Sequence, residues 1–90
     1  MNQADQQARV LAQAILEIRV LLSAYLGDAE ADVSLRTAAH IAYALHNDAE
    51  AVLSGRSFDP QEAIASMEQI DIMFEESLQR RFSRALSNPA

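Results

Sequence analysis

The sequence predicts an all-α protein, an antiparallel three-helix bundle, and three observations lead to that fold class. Half of the 90 residues are hydrophobic, while glycine and proline number two each, a composition that favours helix. Apolar residues recur at spacings of three and four along three long stretches, and no stretch alternates with a period of two. The two glycines separate these stretches, so that short connections make successive helices antiparallel neighbours.

Local signals mark where the helices begin and end. Gly27 and Gly55 each follow an apolar stretch, at the place where a left-handed glycine commonly closes a helix. Asp59 is placed to cap the third helix, Pro60 suits its first turn, and Glu62 has the position of a capping-box residue. These signals predict one helical domain over residues 1–90, with helices over about 5–26, 32–53 and 59–86.

Charge and composition narrow the possible functions. A net charge of −6 and a pI near 4.6 disfavour nucleic acids and anionic membranes as partners. The absence of cysteine removes thiol catalysis, disulfides and zinc ribbons. No apolar stretch is long enough to span a membrane, and the N-terminus lacks the features of a secretory signal. All seven basic residues are arginine, as is typical of GC-rich bacterial genomes, so we expect a bacterial cytoplasmic protein.

Helices one and three carry more apolar surface than one small bundle can cover. Leu16 and Val20 lie opposite the main apolar stripe of helix one, and Ile72 points away from that of helix three. A third helix of about 28 residues is roughly 40 Å long, whereas helix two covers about 30 Å, so its end should overhang. We therefore expect a homodimer. Its candidate interface residues are Leu16, Val20, Ile72, Phe82 and Leu86.

Helix two carries the residues that most resemble a reactive site. His40 and Tyr43 share a polar stripe and have the chemistry of a proton-transfer pair, yet no nucleophile or oxyanion site accompanies them. His46 and Glu50 are spaced to supply two metal ligands, whereas catalytic zinc takes three from the protein. We interpret the stripe as a solvated helix face and expect no enzyme activity, no metal and no cofactor.

Two residues at the apolar faces need polar partners. His46 borders the apolar arc of helix two, and Asp71 falls inside that of helix three. A buried carboxylate is costly unless it is paired. We expect Asp71 to have a partner, which is His46, an arginine or a group across a dimer interface. A ligand contact by His46 and Asp71 is the functional alternative.

These observations favour a non-catalytic protein-interaction or regulatory module that acts as a helical homodimer. A further, unidentified protein partner is compatible with this interpretation. Two alternatives stay open. The first is a small-ligand-binding helical protein in which Tyr43, His46 or Asp71 lines a gap between helices. The second is a nucleic-acid-binding regulator, although arginines near a helix C-terminus also complement the helix dipole. Its contacts would be Arg80, Arg81 and Arg84.

Overall fold

The described part of the chain is all-helical: the computed structural model describes residues 2–87, of which 79% are helical and none forms a β-strand. In order, the elements are α1 (Gln3–Leu22), a 3-10 turn (Ser23–Tyr25), α2 (Val33–Leu53), α3 (Pro60–Ala65), α4 (Met67–Phe74) and α5 (Leu78–Ser87). Only Ser66 separates α3 from α4, so the two form one interrupted helix. Counted in this way, residues 2–87 form four helices where the sequence predicts three. The helices fall into two compact units, and the boundary between them in the sequence lies between Phe58 and Asp59.

The first unit is an antiparallel pair of helices, α1 and α2. Arg9, near the start of α1, donates a hydrogen bond from Nη1 to the carbonyl oxygen of Leu53 at the end of α2, at 2.9 Å. A cation at that position also complements the negative end of the α2 dipole. Between residues 2 and 58 the buried apolar residues are all alanines, which allow two helix backbones to approach closely. They are Ala12, Ala39, Ala42, Ala49 and Ala51.

α1 faces α2 with a different side from the one that its apolar stripe indicates. Ala12 is buried and Leu16 is half-buried, whereas Leu11 and Leu21 are 66% and 76% exposed. The apolar spacing of the sequence places Leu11 in the core stripe of helix one with Ile15 and Ile18, and for Leu11 that prediction is wrong. Ala12 is the buried residue on the side of α1 that faces α2, and its small side chain permits close helix contact there.

α1 ends earlier than the sequence indicates, at Leu22, and a 3-10 turn follows it. The Ser23 hydroxyl donates to the carbonyl oxygen of Val20 at 3.0 Å, one of the local hydrogen bonds with which serine competes against helix. Gly27 has no positive φ, so the expectation that a left-handed glycine closes this helix is wrong. α2 does end in that way. The backbone N–H of Arg56 reaches the Ala51 carbonyl at 2.8 Å, and Gly55 between them has φ 75°.

The third predicted helix is broken at two points, so the continuous rod of about 28 residues does not exist. At Ser66 the hydroxyl donates to the Ala63 carbonyl at 2.6 Å, a contact that bends helices. At Glu75 the backbone turns left-handed, with φ 55°, and ends α4. The overhanging helix end that suggested a dimer is therefore absent. The start of this region is as predicted, since Asp59 caps α3 and Pro60 occupies its first turn.

The two glycines provide a matched test of these helix ends. Gly55→Ala should lower the free energy of unfolding by about 1 kcal/mol, because an alanine at φ 75° brings its Cβ close to the backbone. Gly27→Ala should leave stability unchanged or raise it slightly, since its φ is ordinary and a Cβ there meets no atom within 4 Å. Urea denaturation followed by circular dichroism measures both. Equal effects of the two substitutions would contradict the assignment.

Candidate interaction surface

One side of α1 is an exposed strip of apolar side chains. Leu11, Ile18 and Leu21 are 66%, 45% and 76% exposed. With Ala14 they recur at spacings of three, four and three, the pattern by which one helix packs along another. The same spacing relates the residues of α1 that turn towards α2. α1 therefore has one apolar side that turns towards α2 and a second that is largely exposed.

The exposed strip continues onto α2 across a groove. The groove has a volume of about 210 Å³, and its walls come from both helices of the pair. That volume lies below the usual range for small-molecule sites, about 300–1,000 Å³, and no polar group is present to orient a ligand. These features are typical of a surface that contacts protein side chains. The residues that line the groove are Ile15, Ile18, Ala38, Ile41, Ala42 and Leu45.

We name this surface the hairpin face. Its members are Leu11, Ala14, Ile15, Ile18 and Leu21 of α1 with Ala38, Ile41, Ala42 and Leu45 of α2. No member is ionisable, although 22% of the chain is charged. At 100° per residue, Glu17 falls outside this arc of α1, and Arg9 and Arg19 fall on the side towards α2. Sequence periodicity assigned the α1 part of this face to the core. The signal for an interface is that the members of the face are uncharged on both helices.

The five candidate interface residues from the sequence are distributed over both units. Val20, Ile72 and Leu86 are exposed, at 64%, 67% and 53%. Leu16 and Phe82 are half-buried. Val20 belongs to α1 but lies on the side away from the hairpin face, about 160° from Ile18 at 100° per residue. The hairpin face thus differs from the surface that the sequence proposed.

The two histidines of α2 hold backbone groups in place. His40 Nε2 donates to the Leu26 carbonyl at 3.1 Å, and this bond ties α2 to the connection that precedes it. His46 Nδ1 donates to the Tyr43 carbonyl at 2.6 Å, and the rings of these two residues lie 5.2 Å apart. Within residues 2–87 no three histidine or carboxylate side chains are grouped to hold a metal ion.

Asp71 organises the turn between α4 and α5. Its carboxylate accepts hydrogen bonds from the backbone N–H groups of Leu78 at 2.7 Å and Gln79 at 3.1 Å, the first residues of α5. Its own carbonyl accepts from the N–H groups of Glu75 and Glu76. The partner of this half-buried acid is therefore the backbone of its own unit, where negative charge is favoured by the α5 dipole. His46 belongs to the other unit and has its own partner there.

The three C-terminal arginines are solvent-exposed on α5. Arg81 forms an ion pair with Glu76, with 2.8 Å between Nη2 and Oε1. An exposed pair of this kind contributes little to stability, at most about 1 kcal/mol. Arg84 lies in the last turn of α5, where a cation complements the helix dipole. Arg80 is also exposed, on the same helix.

Comparisons of this chain with protein-family models, curated proteins and solved structures find no match. Among the described helices, none combines the length and apolar character that crossing a membrane requires. The candidate surface therefore rests on the geometry given above.

Removal of the Asp71 carboxylate tests its role at the α4–α5 turn. Asp71→Ala should lower the free energy of unfolding by about 1–2 kcal/mol, because two backbone N–H groups lose their acceptor. Asp71→Asn keeps one acceptor oxygen and should lose less. Thermal unfolding followed by circular dichroism should give the highest melting temperature for wild type, a lower one for Asp71→Asn and the lowest for Asp71→Ala. A midpoint of the Ala variant equal to that of wild type would rule out this capping role.

Asp48 on α2 gives a pH-dependent test. Partial burial raises the pKa of this carboxyl above its ordinary value of 3.8, and the nearby His46 charge partly opposes that rise. Folding therefore favours the protonated acid, and its contribution to stability is lost as the pH rises through the folded-state pKa. Asp48→Asn should raise the melting temperature at pH 7, and this gain should disappear near pH 3. Glu50→Gln, on an exposed position of the same helix, is the charge-matched control.

Proposed function

We propose that the chain is a non-catalytic protein-interaction module that acts as a helical homodimer in the cytoplasm of a bacterium. The observation that carries this proposal is the hairpin face. Contiguous exposed apolar surfaces are uncommon on monomeric proteins and mark places where other proteins bind. The location rests on composition alone, namely the acidic charge and the exclusive use of arginine.

The packing of the first unit supports association. Within its described residues every buried apolar side chain is an alanine, so its leucines, isoleucines and valines all keep contact with water. Full burial of a large aliphatic side chain stabilises a protein by about 1.5–3 kcal/mol, and an unpaired hairpin obtains only part of this stabilisation. A unit of fewer than about 60 residues has little other surface to bury. A second chain supplies the missing contacts.

The polar residues also favour a role without catalysis. His40, His46 and Asp71 each bond to backbone groups. Side chains engaged in this way fix the positions of helix ends and turns. The proposal assigns them a structural role and leaves binding to the apolar surface.

Solution mass at several concentrations tests the homodimer. Sedimentation velocity from about 1 to 500 μM should show a species near twice the chain mass of 9.9 kDa, which dissociates on dilution. The melting temperature should rise with protein concentration over the same range, because association stabilises only the folded state. A mass of 9.9 kDa throughout, with a constant melting temperature, would overturn the proposal.

A further inference from the structure

We infer that the hairpin face is the surface on which a second copy of this chain binds, so that two α1–α2 pairs form a four-helix bundle. This inference rests on the proposed homodimer and adds the site at which the copies meet. It places the contact on α1 and α2, and it excludes the side of α1 that carries Val20 as the main interface.

The arrangement of apolar side chains on α1 fits a bundle. In a four-helix bundle each helix contacts two neighbours along two separate strips, each with spacings of three and four. α1 has both strips. One includes Ala12 and Leu16 and turns towards α2, and the other includes Leu11, Ile18 and Leu21 and is exposed. A second pair of helices would cover the exposed strip.

The side of the α1–α2 pair that carries the hairpin face is large enough for a stable dimer. α1 and α2 contain 20 and 21 residues, so each is about 30 Å long at 1.5 Å per residue. Two helices whose axes are about 10 Å apart form a face roughly 20 Å wide. Contact along this whole side therefore covers about 600 Å² on each copy, or about 1,200 Å² for the pair, above the roughly 1,000 Å² of a specific interface. The hairpin face spans residues 11–21 of α1 and 38–45 of α2 and forms the apolar centre of that side.

The charge distribution favours a second copy as the occupant. Two copies with a net charge of −6 each repel one another unless their contact surface is uncharged. The members of the hairpin face are uncharged on both helices, and Asp48, three residues after Leu45, lies at its edge on α2. A twofold dimer also brings the same patch of each copy together, so an apolar face meets an apolar face of equal length. The groove beside Ile41 and Leu45 offers space for side chains of the partner copy.

Paired glutamate substitutions on α1 test this assignment. Leu21→Glu and Leu11→Glu should each weaken the dimer at least about 100-fold in Kd, because a twofold interface then buries two unpaired carboxylates. Val20→Glu is the matched control, on a neighbouring residue of similar exposure but outside the hairpin face, and should change Kd by less than about threefold. Circular dichroism at low concentration should show that all three variants remain helical.

Thiol labelling provides a second measurement that does not require a disruptive substitution. The chain has no cysteine, so Leu21→Cys and Val20→Cys each introduce a single reporter thiol. Reaction of the thiol at position 21 with a maleimide should slow at least about tenfold as the protein is concentrated above its dimer Kd, because the interface excludes the reagent. Reaction at position 20 should keep the same rate at all concentrations.

The outcomes separate this inference from the proposal on which it rests. If the wild-type chain is monomeric at every concentration, both fail. If the wild type dimerises but Val20→Glu, Ile72→Glu or Leu86→Glu dissociates it while Leu21→Glu and Leu11→Glu do not, the homodimer stands and the hairpin face is the wrong site. Unchanged dimers in Leu21→Glu and Leu11→Glu, with constant labelling at position 21, overturn the inference in the same way.

Discussion

The close contact between α1 and α2 is the constraint on which the rest of this molecule depends. Helix pairs approach most closely where their side chains are small, and α1 offers Ala12 on the side that meets α2. This choice leaves Leu11, Ile18 and Leu21 on an outer side, where they remain exposed. The same packing that fixes the hairpin therefore creates the apolar surface that the proposed function needs.

A second constraint acts at Asp71, which uses its carbonyl and its carboxylate at once. The carbonyl accepts N–H groups at the end of α4, and the carboxylate accepts N–H groups at the start of α5. One residue thus satisfies backbone donors on both sides of the break, including the left-handed Glu75. Because this break shortens the helices, the case for self-association depends on an exposed face and no longer on an overhanging helix.

Signals that act locally could be read from the sequence, and signals that depend on tertiary contact could not. Asp59, Pro60 and Gly55 act within a few residues of their own helix ends, and the structure confirms their roles. The break at Glu75 lacks a glycine, and it depends on a carboxylate four residues earlier whose partners lie beyond the turn. Periodicity located the apolar side of α1, yet it could not say whether a helix covers that side.

The distribution of charge explains how an acidic chain could associate with itself. The members of the hairpin face are uncharged and the nearby Asp48 lies at its edge, so contact between copies removes apolar surface from water without placing an ion at its centre. Repulsion between the copies then acts only at longer range, where salt screens it over about 8 Å at physiological ionic strength. The burial of apolar surface favours association and acts at short range. The repulsion between the two negatively charged copies opposes association and is screened by salt. In the proposed homodimer, the balance between these terms leads to association at high concentration and dissociation on dilution.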